Sequence, residues 1–119
     1  GAVLTSFIKA KRNNAPPIVY GGGSQKRDFT YVGDVVESIY DAMISGQKGT
    51  VDFGYGNSIS VLELLLEVYG KLPYFESRPE RTFEIKDSKS PTSMPVIKYG
   101  RAEGLKRTIK WYESSFARI

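Results

Sequence analysis

The tract Ser60-Val61-Leu62-Glu63-Leu64-Leu65-Leu66-Glu67-Val68-Tyr69-Gly70 does most to limit how this chain can fold. Ser60 and Glu63 have the spacing of a capping box, which satisfies backbone N–H groups that the first helical turn leaves without partners. Gly70 supplies a left-handed stop, and Pro73 prevents the helix from resuming. Between these ends the helix is apolar around most of its circumference, so it is expected to be buried or to face a partner. The chain of 119 residues is read as a single domain over 1–119.

Other elements follow from periodicity. Val3, Leu4, Phe7 and Ile8 recur at helical spacing, followed by Lys9, Lys11 and Arg12 and then the stop Asn13-Asn14-Ala15-Pro16-Pro17. The spacing predicts a helix of about 10 residues from the first residue onward. Its lack of a preceding cap suggests a chain once longer at that end. Ile18-Val19-Tyr20 and Arg27 to Val32 read as strands joined by Gly21-Gly22-Gly23-Ser24, a flexible connection. Asp34 is expected to cap a helix carrying the apolar stripe Val35, Val36, Ile39, Tyr40, Met43 and Ile44, stopped at Gly46. Thr50 to Tyr55, Tyr74 to Glu76 and Thr82 to Ile85 read as further strands. Leu105, Ile109, Tyr112 and Phe116 mark a last amphipathic helix. Alternating helices and strands give an α/β (α+β) class with about four helices and short strands.

Composition removes several chemistries. The chain has no cysteine, which excludes disulfides, thiolate nucleophiles and zinc–thiolate sites, and no histidine, which excludes imidazole bases and Ser-His-Asp triads. Lack of cysteine fits a cytoplasmic setting. No apolar run is long enough to span a bilayer, so no membrane partner is expected. The net charge of +4 favours anionic partners. The late basic residues Lys98, Arg101, Lys106, Arg107 and Lys110 read first as a solvated helix face. A nucleic-acid surface would need a denser stripe interleaved with aromatics, so binding there stays a secondary reading that requires a steep salt dependence.

The glycines at 21–23 precede a strand, whereas a phosphate cradle needs them before a helix N-terminus, where free N–H groups and the helix dipole meet the anion. No Gly-x-Gly-x-x-Gly occurs, and no tyrosine has a lysine four places on, the pairing in which a lysine lowers the pKa of a tyrosine base. Asp28 and Asp34 form a candidate carboxylate pair, but spacing alone supports no glycosidase.

The order of motifs is nonetheless specific. Val3-Leu4-Thr5-Ser6-Phe7-Ile8-Lys9-Ala10, Pro17-Ile18-Val19-Tyr20-Gly21-Gly22-Gly23-Ser24-Gln25, Arg27-Asp28-Phe29-Thr30-Tyr31-Val32 with Asp34-Val35-Val36, Gly54-Tyr55-Gly56-Asn57-Ser58-Ile59-Ser60-Val61-Leu62-Glu63-Leu64, and Glu103 to Tyr112 follow one another. Together they resemble the C-terminal, nucleotide-sugar-binding part of the NAD-dependent epimerase/dehydratase family, the extended short-chain dehydrogenase/reductases. UDP-glucose 4-epimerase-like members are nearest, and the segment Asp87 to Pro95 is similar to a loop of the GDP-fucose synthase-like branch. Gly22 and Gly33 stand where the family pattern usually has aspartate. A family segment before Glu103, with a Leu-Gly-Trp turn, is absent.

The resemblance implies a substrate-binding domain without the Rossmann half, hence a truncated member with no cofactor of its own, NAD being expected only in the full-length family. No catalytic residue is assigned. Arg27 matches the arginine that contacts the sugar nucleotide's diphosphate, and Tyr20 an aromatic position beside the base. Arg81 falls near a second phosphate-binding arginine, and Lys89 matches a basic residue of the alternative loop. The implied partner is a nucleotide-diphosphate sugar of UDP or GDP type, with no turnover by this chain alone. A second reading is a non-catalytic oligomeric module, in which the helix from Val61 to Tyr69, uncovered by loss of the N-terminal Rossmann region, drives homo-oligomerisation.

Overall fold

A computed structural model of the chain describes residues 2–46, 49, 53–80, 87–88, 94 and 96–116, without the side chains of Ala2, Ser88 and Phe116. The helices are α1 (Ala2–Arg12), α2 (Val32–Ile44), α3 (Val61–Tyr69) and α4 (Gly100–Phe116). The strands are β1 (Ile18–Tyr20), β2 (Lys26–Arg27), β3 (Ile59–Ser60), β4 (Glu76–Arg78) and β5 (Asp87–Ser88). This is the expected α/β class of helices with short strands. None of the described helices is long and apolar enough to cross a membrane.

α3 has the ends written for it. The backbone N–H of Glu63 donates to Ser60 Oγ at 3.1 Å, and Gly70 closes the helix in the left-handed region at φ 76°. Val61, Leu64, Leu65 and Val68 are buried with Leu4, Phe7 and Ile8 of α1, Val19 of β1 and Leu105 of α4. Fully burying one such side chain stabilises by about 1.5–3 kcal/mol, so this cluster is the main driving force in view. The core therefore covers α3. The expectation that this helix would be left bare and drive association is corrected: the uncovered apolar face lies on α2.

Two small sheets flank the core. β1 and β4 pair in parallel, with Tyr20 opposite Arg78. β2 is the middle strand of the other sheet, antiparallel to β3 and parallel to β5, with Arg27 opposite Ile59 and Ser88. The glycines at 21–23 form a tight turn, not a slack connection. A Cβ on Gly23, at φ +76°, would lie 2.7 Å from Leu62 Cγ and 2.9 Å from Val19 Cγ1. The chain turns there against the core, where only glycine fits.

Several boundaries differ from the sequence reading. The strand expected from Arg27 to Val32 stops at Arg27, and Val32 already begins α2. Residues 53–55 are not strand, and the rest of that expected strand, with the one at 82–85, lies outside the described residues. β4 begins at Glu76, and α4 begins at Gly100, a full turn before Leu105. Asp34 does not cap its own helix: the N-cap of α2 is Tyr31, with no side-chain hydrogen bond.

Candidate functional site

Tyr20 and Arg27 stand at the two ends of one stapled loop. Tyr20 closes β1 and leads into the glycine turn. Gln25, buried within the loop, donates from Nε2 to the Tyr20 carbonyl at 3.2 Å, while its own carbonyl accepts the N–H of Val61 at 3.0 Å. The loop is thereby fixed to both β1 and the start of α3. Arg27 then enters β2, where its half-buried side chain donates from Nη1 to the Lys26 carbonyl at 2.8 Å. Ser88, opposite Arg27 across the sheet, directly precedes Lys89. Lys89 and Arg81 both lie outside the described residues.

Directly after Arg27 the backbone is anchored by Asp28. Its Oδ1 accepts from the Tyr55 N–H at 3.3 Å and from Thr30 Oγ1 at 3.2 Å, and its Oδ2 accepts from the Gly56 N–H at 3.0 Å. Arg101 Nη2 closes an ion pair on Oδ1 at 2.7 Å, with the two side chains only 14% and 7% exposed. Arg101 also donates to the Phe29 carbonyl at 3.0 Å, to Asn57 Oδ1 at 2.6 Å and to the Asn57 carbonyl at 2.7 Å. A guanidinium so fully committed locks the 28–31 segment to the 55–57 turn and α4. Arg101 is thus no part of a solvated basic face.

Asp34 is completely buried and works at long range. Its Oδ1 accepts the N–H groups of Lys98 at 2.7 Å and Tyr99 at 2.9 Å, and its Oδ2 accepts Gly100 N–H at 3.0 Å and Tyr55 Oη–H at 2.6 Å. Burial alone would raise its pKa. The hydrogen bonds from Tyr55 and from the backbone at Tyr99, Gly100 and Lys98 outweigh burial and hold it below the ordinary carboxylate value. Burial, reinforced by the hydrogen bond to Asp34, pushes the Tyr55 hydroxyl up to about 12. Asp28 and Asp34 therefore both spend their oxygens on structure, which leaves neither poised as a general acid or base.

Gly33 has a local explanation. A Cβ there would lie 2.5 Å from Tyr31 Cε2 and 2.9 Å from Tyr99 Cε2. These two rings stack edge to face with centroids 5.3 Å apart and fill the space a side chain would need.

The glycine turn leads into β2, and the converging N–H groups at the start of α4 are already filled by the internal anion Asp34. Among the described residues no group of three Asp or Glu could hold a metal ion. What the site does offer is a guanidinium on a sheet's central strand, two residues after Gln25, which fastens the glycine turn to Tyr20 and to the start of α3.

Residues 1–53 match the NAD dependent epimerase/dehydratase family. A putative UDP-glucose 4-epimerase of Methanocaldococcus jannaschii is 31% identical over 95% of this chain, which covers 39% of that protein. A probable GDP-L-fucose synthase 1 of Oryza sativa is 32% identical, over 93% of this chain and 37% of that protein. The chain is similar to members of the NAD-dependent epimerase/dehydratase family. Its fold agrees: UDP-N-acetylglucosamine 4-epimerase of Methanobrevibacter ruminantium, solved with UDP-N-acetylmuramic acid, superposes with a TM-score of 0.79 at 27% identity, covering 97% of this chain and 40% of that one. The chain thus spans about two-fifths of the length of the family members it matches.

The family resemblance singles out Tyr20 and Arg27, which the fold sets at the end of β1 and in β2, on either side of the glycine turn. Sequence reasoning missed Arg101 and Tyr55 and gave Asp34 the wrong task. The available signal was the run Arg27-Asp28, an acid beside an arginine, with Arg101 distant in sequence.

Proposed function

We propose that this chain is the nucleotide-sugar-binding portion of a sugar epimerase or dehydratase and does not turn substrate over by itself. The observation that carries the proposal is the stapled loop from Tyr20 to Arg27, which presents a cation on a fixed strand. A diphosphate offers paired oxygens, and a guanidinium binds them through two parallel hydrogen bonds with a charge that does not titrate. Tyr20 lies at the loop's other end, suited to the nucleobase or its ribose. Arg81 and Lys89 remain candidates for further phosphate contacts. In this reading the chain holds the diphosphate so that remote binding energy orients the sugar, while hydride and proton transfer belong to a cofactor half. The relatives' names include UDP- and GDP-linked activities, so the base is left to experiment.

Isothermal titration with UDP-glucose, GDP-fucose, CDP-glucose and NAD tests the reading. At least one sugar nucleotide is expected to bind, Arg27→Ala is expected to weaken it about tenfold or more, and NAD is expected not to bind. Measurable NAD binding or epimerase activity by the chain alone, or unchanged affinity in Arg27→Ala, overturns it.

A further inference from the structure

A nucleic-acid surface needs aromatic rings among its cations, and folding brings such rings to the basic residues of α4. Tyr31, at the start of α2, and Tyr99, just before α4, stack edge to face with centroids 5.3 Å apart. The guanidinium of Arg107 lies over the Tyr99 ring at 4.6 Å, and Lys98 Nζ approaches the same ring at 5.5 Å. One turn further along α4, Trp111 and Tyr112 stack edge to face at 5.0 Å. Beside these rings lies a groove of about 860 Å³ whose lining includes Tyr31, Lys106, Arg107, Lys110 and Trp111. Among the described residues, Glu103 is its one carboxylate.

The lining sets the chemistry of the ligand. Lys106, Arg107 and Lys110 are exposed, and Lys106 and Lys110 stand one helical turn apart, about 6 Å along the axis, so they meet successive negative charges rather than one. Arg107 is held from two sides, its face on Tyr99 and its Nε donating to Glu103 Oε1 at 3.0 Å, while neither Nη has a partner among the described residues. The free prongs are the part of a guanidinium that grips phosphate oxygens. The Glu103 pair is exposed and therefore weak, so it does not cancel the cation for an incoming phosphate. Trp111, 63% exposed, presents the large ring on which a planar base stacks.

We propose that the α4 groove binds single-stranded nucleic acid, with phosphates on Lys106, Arg107 and Lys110 and a base on Trp111. A free mononucleotide reaches only part of this run. An acidic peptide leaves the rings unused, and a duplex keeps its bases stacked on one another. None of residues 20–27 lines the groove, so the site is distinct from the Tyr20–Arg27 loop and does not rest on the sugar-nucleotide reading.

Trp111 is the chain's one tryptophan, so its own fluorescence reports stacking. Titration with oligo-uridine of about 12 nucleotides is expected to quench it. Affinity is expected to fall about tenfold or more as salt rises from about 50 to about 200 mM, the loss that three phosphate contacts on a single strand give. Lys106→Ala with Lys110→Ala, at exposed positions, is expected to weaken binding about tenfold and to flatten the salt slope, while UDP-glucose titration and the melting temperature match wild type. Trp111→Ala, followed by anisotropy of a labelled strand, is expected to lose about tenfold, and Trp111→Phe to regain part of it. Unquenched Trp111, a flat salt response, equal affinity for duplex RNA, polyglutamate or free UMP, or displacement of the strand by UDP-glucose overturns the proposal.

Discussion

Asp34 Oδ2 accepts the N–H of Gly100 at 3.0 Å, so a carboxylate on α2 serves as the N-terminal cap of α4 across 66 residues of sequence. Three consecutive N–H groups, at residues 98, 99 and 100, converge on this one side chain. The helix start needs exactly such an acceptor, and its dipole favours a negative charge there. α2 and α4 are therefore held in fixed relation by one buried anion, and the 55–57 turn joins them through Tyr55.

Asp34→Asn is expected to destabilise the fold by about 2–3 kcal/mol, since hydrogen bonds to a charged group are lost inside the protein. The folded carboxyl sits below its ordinary value of 3.8, so its contribution is fully present above that value and is lost as pH falls through the lower folded one. Thermal unfolding followed from pH 7 down to 2 should show part of the acid loss of wild type missing in Asp34→Asn. Parallel profiles for the two proteins would contradict the assignment.

Tyr55 makes the mirror-image prediction at high pH. Its hydroxyl is raised from 10.0 to about 12, so the stability it contributes is complete below 10 and disappears as pH rises through about 12. Absorbance titration near the tyrosinate band should show one late-ionising tyrosine fewer in Tyr55→Phe, while Tyr69, raised by burial, stays late in both proteins. Tyr55→Phe also leaves Asp34 Oδ2 with one donor fewer and removes the acceptor for the Tyr31 N–H at 3.3 Å, at a cost of about 1–3 kcal/mol.

What the sequence made legible was local. α3 was readable from end to end because its capping box and glycine stop lie within the tract they terminate. The apolar ridge of α2 was readable as periodicity, but a period says nothing about which body covers it. Asp34 looked like the cap of the helix beside it because short polar residues near a helix start usually do that work, whereas its real partners are distant backbone groups. Arg101 looked solvated because its carboxylate is 73 residues away. Tyr20 and Arg27 are candidates through the order of motifs alone, since nothing in their own spacing singles them out.

Gly33 is predicted to resist the aspartate that the family pattern usually has there. An acid in the first turn of α2 would gain about 0.3–1 kcal/mol from the helix dipole, while forcing a side chain into the Tyr31–Tyr99 pair costs about 1–3 kcal/mol. The steric penalty wins, so Gly33→Asp should lower the urea midpoint. In a Tyr31→Ala background the same substitution should cost less, because the ring nearest the new Cβ is gone. An equal cost in both backgrounds would show that the rings are not the obstacle.

Arg101→Ala should be the most damaging single change outside the hydrophobic core. It strands Asp28, 7% exposed, beside a backbone arranged for a negative charge, and breaking a buried pair by removing one partner costs about 3–5 kcal/mol. Arg101→Met with Asp28→Asn should recover part of that loss, because the uncompensated charge is removed with its partner. A double-mutant cycle by urea unfolding measures the coupling, and contacts of this kind give about 0.5–3 kcal/mol. The functional consequence follows from chain connectivity. Asp28 directly follows Arg27, so loosening it frees the end of the loop that presents the guanidinium. Sugar-nucleotide affinity should therefore fall in Arg101→Ala even where the protein is still folded, and should return with the paired substitution only as far as the 28–31 segment is re-anchored. Full affinity in folded Arg101→Ala would separate the ion pair from the binding loop and assign it to stability alone.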